Sequence, residues 1–365
     1  MIEIRHLKLI QAVAEVGTLK RAAEKLFVSQ SALSHQLREL ESRLGTPVFY
    51  RVNNQLLFTP AGKELLDASR EILERLHLAE STIQQVEQES TSSYVHGYSQ
   101  EEFTRLSDQA NSIAELLHWD TDWPKGALIL EAGCGIGAQT KILAPKNPEC
   151  SFVSVDLSAS SLAKAKAMAL EQNISNVVFE VADILQLPYP DDHFDHIYVC
   201  FILEHLSSPS EALRELKRVL KPKGTVTVIE GDHGSTYFYP DSAAAHQAIQ
   251  AQVTLQQQKG GDANIGRRLY PMLTDAGYTS VRVSPRQVYV DDSKPALVDG
   301  FIKNTFTAMI RGVAEDAVAH KIISQKAIRE GIEALLQTAR GGGTFCYTFF
   351  KAVATKKDAA ETRVV

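Results

Sequence analysis

The stretch ALILEAGCGIGAQT, residues 127–140, joins an apolar run to three closely spaced glycines, and a helix is predicted from about Gln139. Glycines let the backbone turn sharply and approach a ligand closely, and the amides at a helix start are free to bind an anion. The order strand, glycine loop, helix therefore predicts a nucleotide-binding cradle. Three glycines alone are weak evidence for such a site.

A second apolar run, SFVSVD, follows the loop and ends at Asp156, where a carboxylate can bind the hydroxyls of a ribose. These two features fit a nicotinamide dinucleotide as well as S-adenosylmethionine (SAM). From the loop and the acid alone, the choice between the two cofactors stays open.

Three further segments complete an ordered pattern: VADILQLPYPDDHFD at 181–195, FDHIYVCFILEHL at 194–206 and KPKGTVTVIE at 221–230. Together with the first two, they resemble the class I SAM-dependent methyltransferases of the small-molecule type, over most of residues 94–355. The resemblance implies a Rossmann-like, doubly wound α/β sheet with SAM as its cofactor.

The resemblance also implies which residues bind SAM. The first motif supplies Glu131 and the three glycines, and Asp156 binds the ribose. Asp183 accepts a hydrogen bond from the adenine amino group, with Leu157 and Ile184 against the faces of the ring. The segment 94–110 looks like the N-terminal cap of these enzymes and places Tyr94, Tyr98 and Arg105 near the methionine end of SAM. The implied SAM contacts are Glu131, Gly133, Gly135, Gly137, Asp156, Leu157, Asp183, Ile184, Tyr98 and Arg105.

The rest of this half predicts two strands and two helical insertions. The sheet of the family that the chain resembles usually ends with a sixth strand and an antiparallel seventh, and the candidates here are VRVSPRQVYV at 281–290 and GTFCYTFFKAVAT at 343–355. Helices are expected at about 242–259 and 295–340, as a lid over the strand ends. The apolar stripe in the second insertion is more typical of core than of a substrate pocket; it comprises Phe301, Ile302, Phe306, Met309, Ile310 and Val313.

Methyl transfer needs alignment more than acid–base help, so a general base is optional. His233, after the fifth predicted strand, and then His205, after the fourth, are the best-placed candidates. Each is as readily explained by a helix cap or a buried hydrogen bond. Arg267 and Arg268 fit an anionic acceptor or pairing with nearby carboxylates equally well.

The first quarter of the chain has a different pattern. In SQSALSHQLRELESRLG, residues 29–45, leucines occupy one helix face and small polar or basic side chains the other, as in a helix that enters a DNA major groove. With FTPAG at 58–62, this region resembles the LysR-type regulators, in particular the methionine-regulator branch. The resemblance implies DNA contacts by Gln30, Ser31, Ser34 and Arg38 in the groove and by Arg51 on the backbone; a purely surface role for the two arginines is the alternative.

Residues 48–62 predict a hairpin, the wing, and apolar residues from 60 to 89 recur at heptad spacing. In LysR-type regulators a helix in this place pairs two subunits, so a homodimer is implied; packing on its own domain is the alternative. The effector domain that normally follows is absent from the sequence. The predicted limits are 1–59 for the winged helix-turn-helix, 60–90 for the linker helix, 91–355 for the methyltransferase and 356–365 for a flexible tail.

Composition narrows the function classes. The 365 residues suit two domains, and the net charge of −6 argues against general coating of nucleic acid, so DNA contact must be local. The start of the chain has no signal-peptide pattern, no run is long enough to span a bilayer, and the four cysteines have no zinc spacing. A cytoplasmic protein without a metal site is expected.

Three functions fit these features. The first is a transcriptional regulator whose methyltransferase domain methylates a small molecule. The second is a SAM- or metabolite-sensing regulator without turnover. The third, a DNA methyltransferase, is disfavoured because CFILEHL replaces the Asn/Asp-Pro-Pro-aromatic loop and the Pro-Cys nucleophile of DNA-modifying enzymes.

Overall fold

A computed structural model describes residues 4–26, 28–52, 55–69, 72 and 100–358. The chain divides into two compact units, Met1–Gln88 and Glu89–Val365. In the part of the chain that the structure describes, no helix is long and apolar enough to cross a membrane.

The first unit consists of three helices, a hairpin and the start of a fourth helix. Its elements are α1 Ile4–Val16, α2 Leu19–Lys25, α3 Gln30–Leu44, β1 Phe49–Val52, β2 Gln55–Phe58 and α4 at 60–69. Strands β1 and β2 pair antiparallel, as the predicted wing requires, and the predicted turn at 53–54 lies outside the described residues. Leu33, Leu37 and Leu40 of α3 are buried, which confirms their predicted core role.

Caps fix both ends of α3. The side chain of Ser29 accepts a hydrogen bond from the Ala32 amide, and Gly45 ends the helix in the left-handed region, with φ 68°. Thr59 caps α4, since its hydroxyl oxygen accepts from the Gly62 amide at 3.0 Å. These short-range contacts hold the polar face of α3 in a defined position.

The linker helix is described only at its start. Leu65 packs against the core of the first unit, which fits the alternative of local packing at that position. Ile72 is 49% exposed. The remaining positions of the predicted heptad seam lie outside the described residues, so the seam stays a prediction.

The second unit is built on a seven-stranded sheet in the order β5-β4-β3-β6-β7-β9-β8. The strands are β3 Leu128–Ala132, β4 Ser151–Asp156, β5 Val177–Val181, β6 Phe194–Cys200, β7 Leu220–Tyr239, β8 Thr279–Val290 and β9 Thr344–Thr355. Strand β9 runs antiparallel to β7 and to β8, and the other neighbouring strands of the sheet pair parallel. The predicted sixth strand and antiparallel seventh are confirmed.

Helices cover both faces of this sheet, because successive strand residues such as Ile129 and Leu130 enter two different apolar cores. The helices are α5 Gln100–His118, α6 Thr140–Lys146, α7 Ala159–Glu171, α8 Pro209–Val219, α9 Ala243–Gln258, α10 Leu269–Asp275, α11 Pro295–Leu297, α12 Ala308–Gly312, α13 Ala314–Ala319 and α14 Gln325–Gln337. A π-helical segment, Val298–Thr307, joins α11 to α12. Both predicted insertions are therefore helical, and the first matches α9 closely.

The short helical turn Ile265–Arg268 lies against the middle of β7, and Gly266 makes the contact possible. A Cβ there would lie 2.7 Å from the Gly231 carbonyl oxygen and 3.0 Å from that of Glu230. Gly266→Ala should therefore lower the free energy of unfolding by about 1–3 kcal/mol, the usual cost of overpacking. Denaturant unfolding measures this change.

Gly312→Ala is the matched control. It adds the same methyl group at the end of α12, where nothing lies within 4 Å of the new atom. Stability should stay unchanged or rise by up to about 1 kcal/mol, because alanine restricts the unfolded chain. Equal losses in the two variants would contradict the close contact at Gly266.

Candidate functional site

The glycine loop after β3 is held in a conformation that side chains disfavour. Gly133, Gly135 and Gly137 have φ of 79°, 53° and 77°. At Gly133, a Cβ would lie 2.3 Å from the end of the Ile202 side chain. Beside Gly135 nothing lies within 4 Å of such a Cβ, so the loop leaves open space above its middle glycine.

The loop is tied to the carboxyl end of β4. The amides of Gly133 and Cys134 donate to the Val155 carbonyl at 2.8 and 2.9 Å. Asp156 follows, with one carboxylate oxygen 2.7 Å from the Gly135 amide and the other 2.9 Å from the Ser158 amide. Burial raises the pKa of Asp156, although these amides oppose the rise.

A cavity of about 250 Å³ opens over this loop, at the carboxyl ends of β3 and β4. Six of the predicted SAM contacts line it together: Gly133, Gly135, Asp156, Leu157, Asp183 and Ile184. Asp183 is held in place because its carboxylate accepts from the Leu185 amide at 2.8 Å. The predicted contacts from three separate loops therefore meet at one cavity.

Two residues that were predicted to contact SAM, Gly137 and Glu131, do not line the cavity. Gly137 allows close packing instead, since a Cβ there would lie 2.6 Å from the Met168 methyl group of α7. Glu131 is not among the cavity-lining residues; it lies buried, and one of its oxygens accepts from the hydroxyls of Thr140 at 2.5 Å and Ser154 at 2.6 Å. Direct contact between Glu131 and SAM stays a prediction, and the structure places this carboxylate against its own chain.

Burial raises the pKa of Glu131 to about 7, so this carboxyl group titrates near neutrality in the folded chain. Its folded pKa is above its ordinary value of 4.5, so the stability that it contributes is present below pH 4.5 and is lost as the pH rises through 7. Relative to Glu131→Gln, the wild type should lose about 3 kcal/mol of unfolding free energy from pH 4.5 to 7.5, at about 1.4 kcal/mol per pKa unit. Denaturant unfolding of both proteins across this range measures the difference, and parallel pH profiles would contradict the assignment.

A smaller chamber of about 60 Å³ adjoins the cavity. The two share Leu106, Gln109, Phe201 and His205 as lining residues. Five phenylalanine and tyrosine rings line the chamber: Phe201, Phe301, Phe306, Tyr347 and Phe349. Phe301 and Phe306 lie on the π-helical segment, a rare conformation that is frequent at functional sites. Both side chains are buried, which agrees with the prediction that the apolar stripe of the second insertion belongs to the core. They also line the chamber.

Both candidate histidines line this chamber. Burial, with a contribution from the charge of Arg105, lowers the pKa of His205 to about 3. Burial also lowers the pKa of His233 to about 4. Both imidazoles are therefore neutral at pH 7. His233 also makes buried hydrogen bonds, which was the alternative to a catalytic role. The Tyr347 hydroxyl lies 3.0 Å from Nδ1, and the Met309 sulfur lies 3.2 Å from Nε2.

The structure resolves other uncertain assignments. Arg105 is buried, lines the chamber and not the larger cavity, and donates to the Gln109 side chain at 2.8 Å. Arg267 pairs with Asp232 and Arg268 with Asp262, which is the local alternative for both. Tyr98 lies outside the described residues. Sequence reasoning missed Gln109, Phe201 and Tyr347, since no local motif marks them.

The polar face of α3 is presented outward in the first unit. Gln30, Ser31 and Arg38 are exposed and Ser34 is partly exposed. The Arg38 side chain bonds the Ser34 carbonyl at 3.3 Å and stays on this face. Arg51 lies in β1 opposite Leu56, and its side chain lies outside the described residues.

Two family models match the chain. The bacterial regulatory helix-turn-helix protein of the lysR family matches residues 4–63, and the methyltransferase domain matches residues 124–277. An uncharacterized 37.1 kDa protein in transposon TN4556 of Streptomyces fradiae is 30% identical over 259 residues, covering 70% of this chain and 70% of that protein. The uncharacterized methyltransferase C1B3.06c of Schizosaccharomyces pombe is 34% identical over 161 residues, 42% of this chain and 58% of that protein.

The chain contains a methyltransferase domain. This methyltransferase carries a LysR-type DNA-binding helix-turn-helix in the same chain. That part is similar to the HTH-type transcriptional regulator MetR of Buchnera aphidicola subsp. Schizaphis graminum, with 48% identity over 79 residues, 22% of this chain. The chain spans a quarter of that regulator's length.

The cavity fits SAM, the cofactor that the sequence resemblance implies for this methyltransferase domain. The open space beside Gly135 admits a ligand close to the backbone, and Asp156 offers a carboxylate at the strand end where a ribose binds. Asp183 lines the cavity together with Ile184 and Leu157. This combination of one carboxylate and two apolar side chains suits an adenine, which has a polar amino group on an apolar ring.

Proposed function

We propose that this methyltransferase transfers the methyl group of SAM to a small molecule held in the chamber beside the cofactor cavity. We also propose that it acts as a cytoplasmic homodimer whose helix-turn-helix units bind operator DNA. The observation that carries the first proposal is the wall shared by the chamber and the cavity, formed by Leu106, Gln109, Phe201 and His205. A molecule in the chamber adjoins the cofactor there.

When bound, SAM supplies a methyl group on a sulfonium; its S–C bond breaks with the electron pair going to sulfur while the acceptor's lone pair forms the new bond. The chain's own residues align the acceptor and exclude water, which suits a small chamber lined by aromatic rings together with a few polar side chains. His205 lies in both linings, and its neutral ring can orient the acceptor by a hydrogen bond; a pKa of about 3 makes it a weak general base.

The test is methyl transfer to extracted metabolites. Purified full-length protein and SAM with a labelled methyl group are incubated with a small-molecule extract, and mass spectrometry identifies labelled products. Phe306→Trp, which adds bulk to a chamber of only about 60 Å³, should abolish transfer while SAM affinity stays within about threefold. Unchanged transfer by this variant would place the acceptor elsewhere.

The homodimer is proposed from the heptad spacing of residues 60–89. Replacing Ile72 and Ile83 together by aspartate puts charges into that seam, where they cannot be solvated cheaply. Light scattering should then report a monomer in place of the wild-type dimer. A persistent dimer would place the subunit contact elsewhere, and a monomeric wild type would contradict the proposal itself.

A further inference from the structure

We infer that Gln109 selects the methyl acceptor, and that the acceptor atom which receives the methyl group is an oxygen. The inference rests on the proposed function, because it names the class of nucleophile that the chamber holds. Gln109 has the position that this role requires, since its half-buried side chain lines both the cofactor cavity and the chamber.

Arg105 fixes the orientation of the Gln109 side-chain amide. The two residues lie one turn apart on α5, and the Arg105 Nη1 is 2.8 Å from the Gln109 Oε1. A guanidinium group has only donors, so the amide atom that faces it is the oxygen. Burial raises the pKa of Glu204 and the charge of Arg105 opposes that rise, so Arg105 has a carboxyl partner as well. The Gln109 Nε2, with its two N–H donors, is therefore turned away from Arg105.

Other polar side chains of the chamber already contact the chain itself. The His233 ring has hydrogen-bond contacts with the Tyr347 hydroxyl, 3.0 Å from Nδ1, and with the Ala263 carbonyl. The Thr305 hydroxyl donates at 2.7 Å to a carbonyl of its own π-helical segment. Within the described residues, no group accepts a hydrogen bond from the Gln109 Nε2. This amide nitrogen is therefore available to a ligand where the chamber meets the cofactor cavity.

An N–H donor at this place distinguishes an oxygen nucleophile from a nitrogen nucleophile. A hydroxyl or carboxylate oxygen has at least two lone pairs, so one accepts from Gln109 while another attacks the methyl carbon. A neutral amine has a single lone pair, which cannot serve both purposes, and an ammonium group has none. An acceptor held by Gln109 is thus aligned for transfer only when its reacting atom is an oxygen.

The groups of the chamber also account for the proton. The oxygen lone pair forms the new O–C bond while the electron pair of the S–C bond goes to sulfur. A hydroxyl acceptor then passes its proton to Glu204, which lines the chamber and is partly ionised at neutral pH, because burial raises its pKa to about 7. A carboxylate acceptor has no proton to lose.

The atom that carries the transferred methyl group tests the inference directly. The full chain is incubated with SAM labelled with ¹³C in the methyl group and with a metabolite extract from cells grown on ¹⁵N. NMR of the product should show a methoxy carbon without coupling to ¹⁵N. A methyl carbon that is coupled to ¹⁵N, or that is bonded to carbon or sulfur, would overturn the inference.

Variants assign the selection to Gln109. Gln109→Glu keeps the size of the side chain and an oxygen for Arg105 but has no N–H, so it should lower kcat/KM for the acceptor at least tenfold. Gln109→Met should lower it at least fivefold and leave S-adenosylhomocysteine affinity within threefold. Gln325→Glu, the same change on an exposed side chain of α14, should leave both values unchanged.

Thermal unfolding identifies a Gln109 variant that fails to fold. Folded variants with wild-type kcat/KM would contradict the assignment. A tenfold loss of S-adenosylhomocysteine affinity in Gln109→Met, with unchanged kcat/KM for the acceptor, would assign the amide to the cofactor and overturn the inference as well.

A probe titration tests the same contact without turnover. Butan-2-ol and sec-butylammonium have the same carbon skeleton, and each is added to the full chain, with ¹⁵N in its glutamine side chains, saturated with S-adenosylhomocysteine. The Gln109 amide signals, assigned by their loss in Gln109→Met, should shift with butan-2-ol and stay in place with sec-butylammonium. Signals that do not move with butan-2-ol, or that move equally with both probes, would overturn the inference.

The two proposals fail separately. A protein that methylates a small molecule on nitrogen loses only the oxygen assignment. A protein whose Gln109 amide responds to butan-2-ol but that transfers no methyl group retains the oxygen contact and loses the proposed reaction.

Discussion

Asp156→Ala should weaken SAM binding by at least tenfold, about 1.4 kcal/mol or more, as expected when hydrogen bonds to a charged group are lost. The carboxylate faces the cavity and also accepts from the Gly135 amide at 2.7 Å, so its removal affects both the ribose contact and the loop. Isothermal titration calorimetry with the full chain measures the change.

Glu171→Ala is the control for this variant. Glu171 is an exposed carboxylate at the end of α7 and is not among the cavity-lining residues, so SAM affinity should stay within about twofold. Equal SAM affinity in the wild type and Asp156→Ala would remove Asp156 from the site and leave the ribose contact without a residue.

Arg38→Ala should relax the sequence preference of DNA binding. Arg38 projects from the exposed face of α3, and a bidentate arginine–guanine contact is typically worth about 1–3 kcal/mol of discrimination. Arg51→Ala should instead weaken binding to all duplexes and flatten the salt dependence, because a phosphate contact carries no sequence information. Selection from a random duplex library, followed by titrations at two salt concentrations, distinguishes the two effects.

Arg329→Ala is the control, because it also removes one positive charge but from an exposed side chain of the second unit. The sequence preference and the salt dependence of DNA binding should both stay close to wild type. Loss of affinity without loss of preference in Arg38→Ala would make Arg38 a phosphate contact. A wild type that selects no sequence would contradict operator binding altogether.

Local patterns in the sequence were sufficient for most of the fold. The glycine loop, Asp156 and Asp183 each follow a strand directly, and parallel strands bring their carboxyl ends to one edge of the sheet. The two last strands were predicted from the resemblance to the family's sheet, and they are confirmed. For these residues, the position along the chain also fixes the position in the site.

The local sequence could not predict the contacts of the Glu131 carboxylate. Whether its carboxylate faces a ligand or its own chain depends on Thr140 and Ser154, which are 9 and 23 residues away. The chamber is a similar case, because it combines Arg105 of α5 with His205, His233 and Tyr347 from three other elements. Contacts of such separation depend on tertiary packing, which leaves no local pattern in the sequence.

The most direct test of the account follows the methyl group. The wild-type protein is incubated with radiolabelled SAM, a metabolite extract and duplex DNA, and the label is counted in the small-molecule, DNA and protein fractions. The account predicts label in a new small molecule and release of S-adenosylhomocysteine, both lost in Phe306→Trp. Label in DNA, or SAM binding with no label in any product, would contradict it.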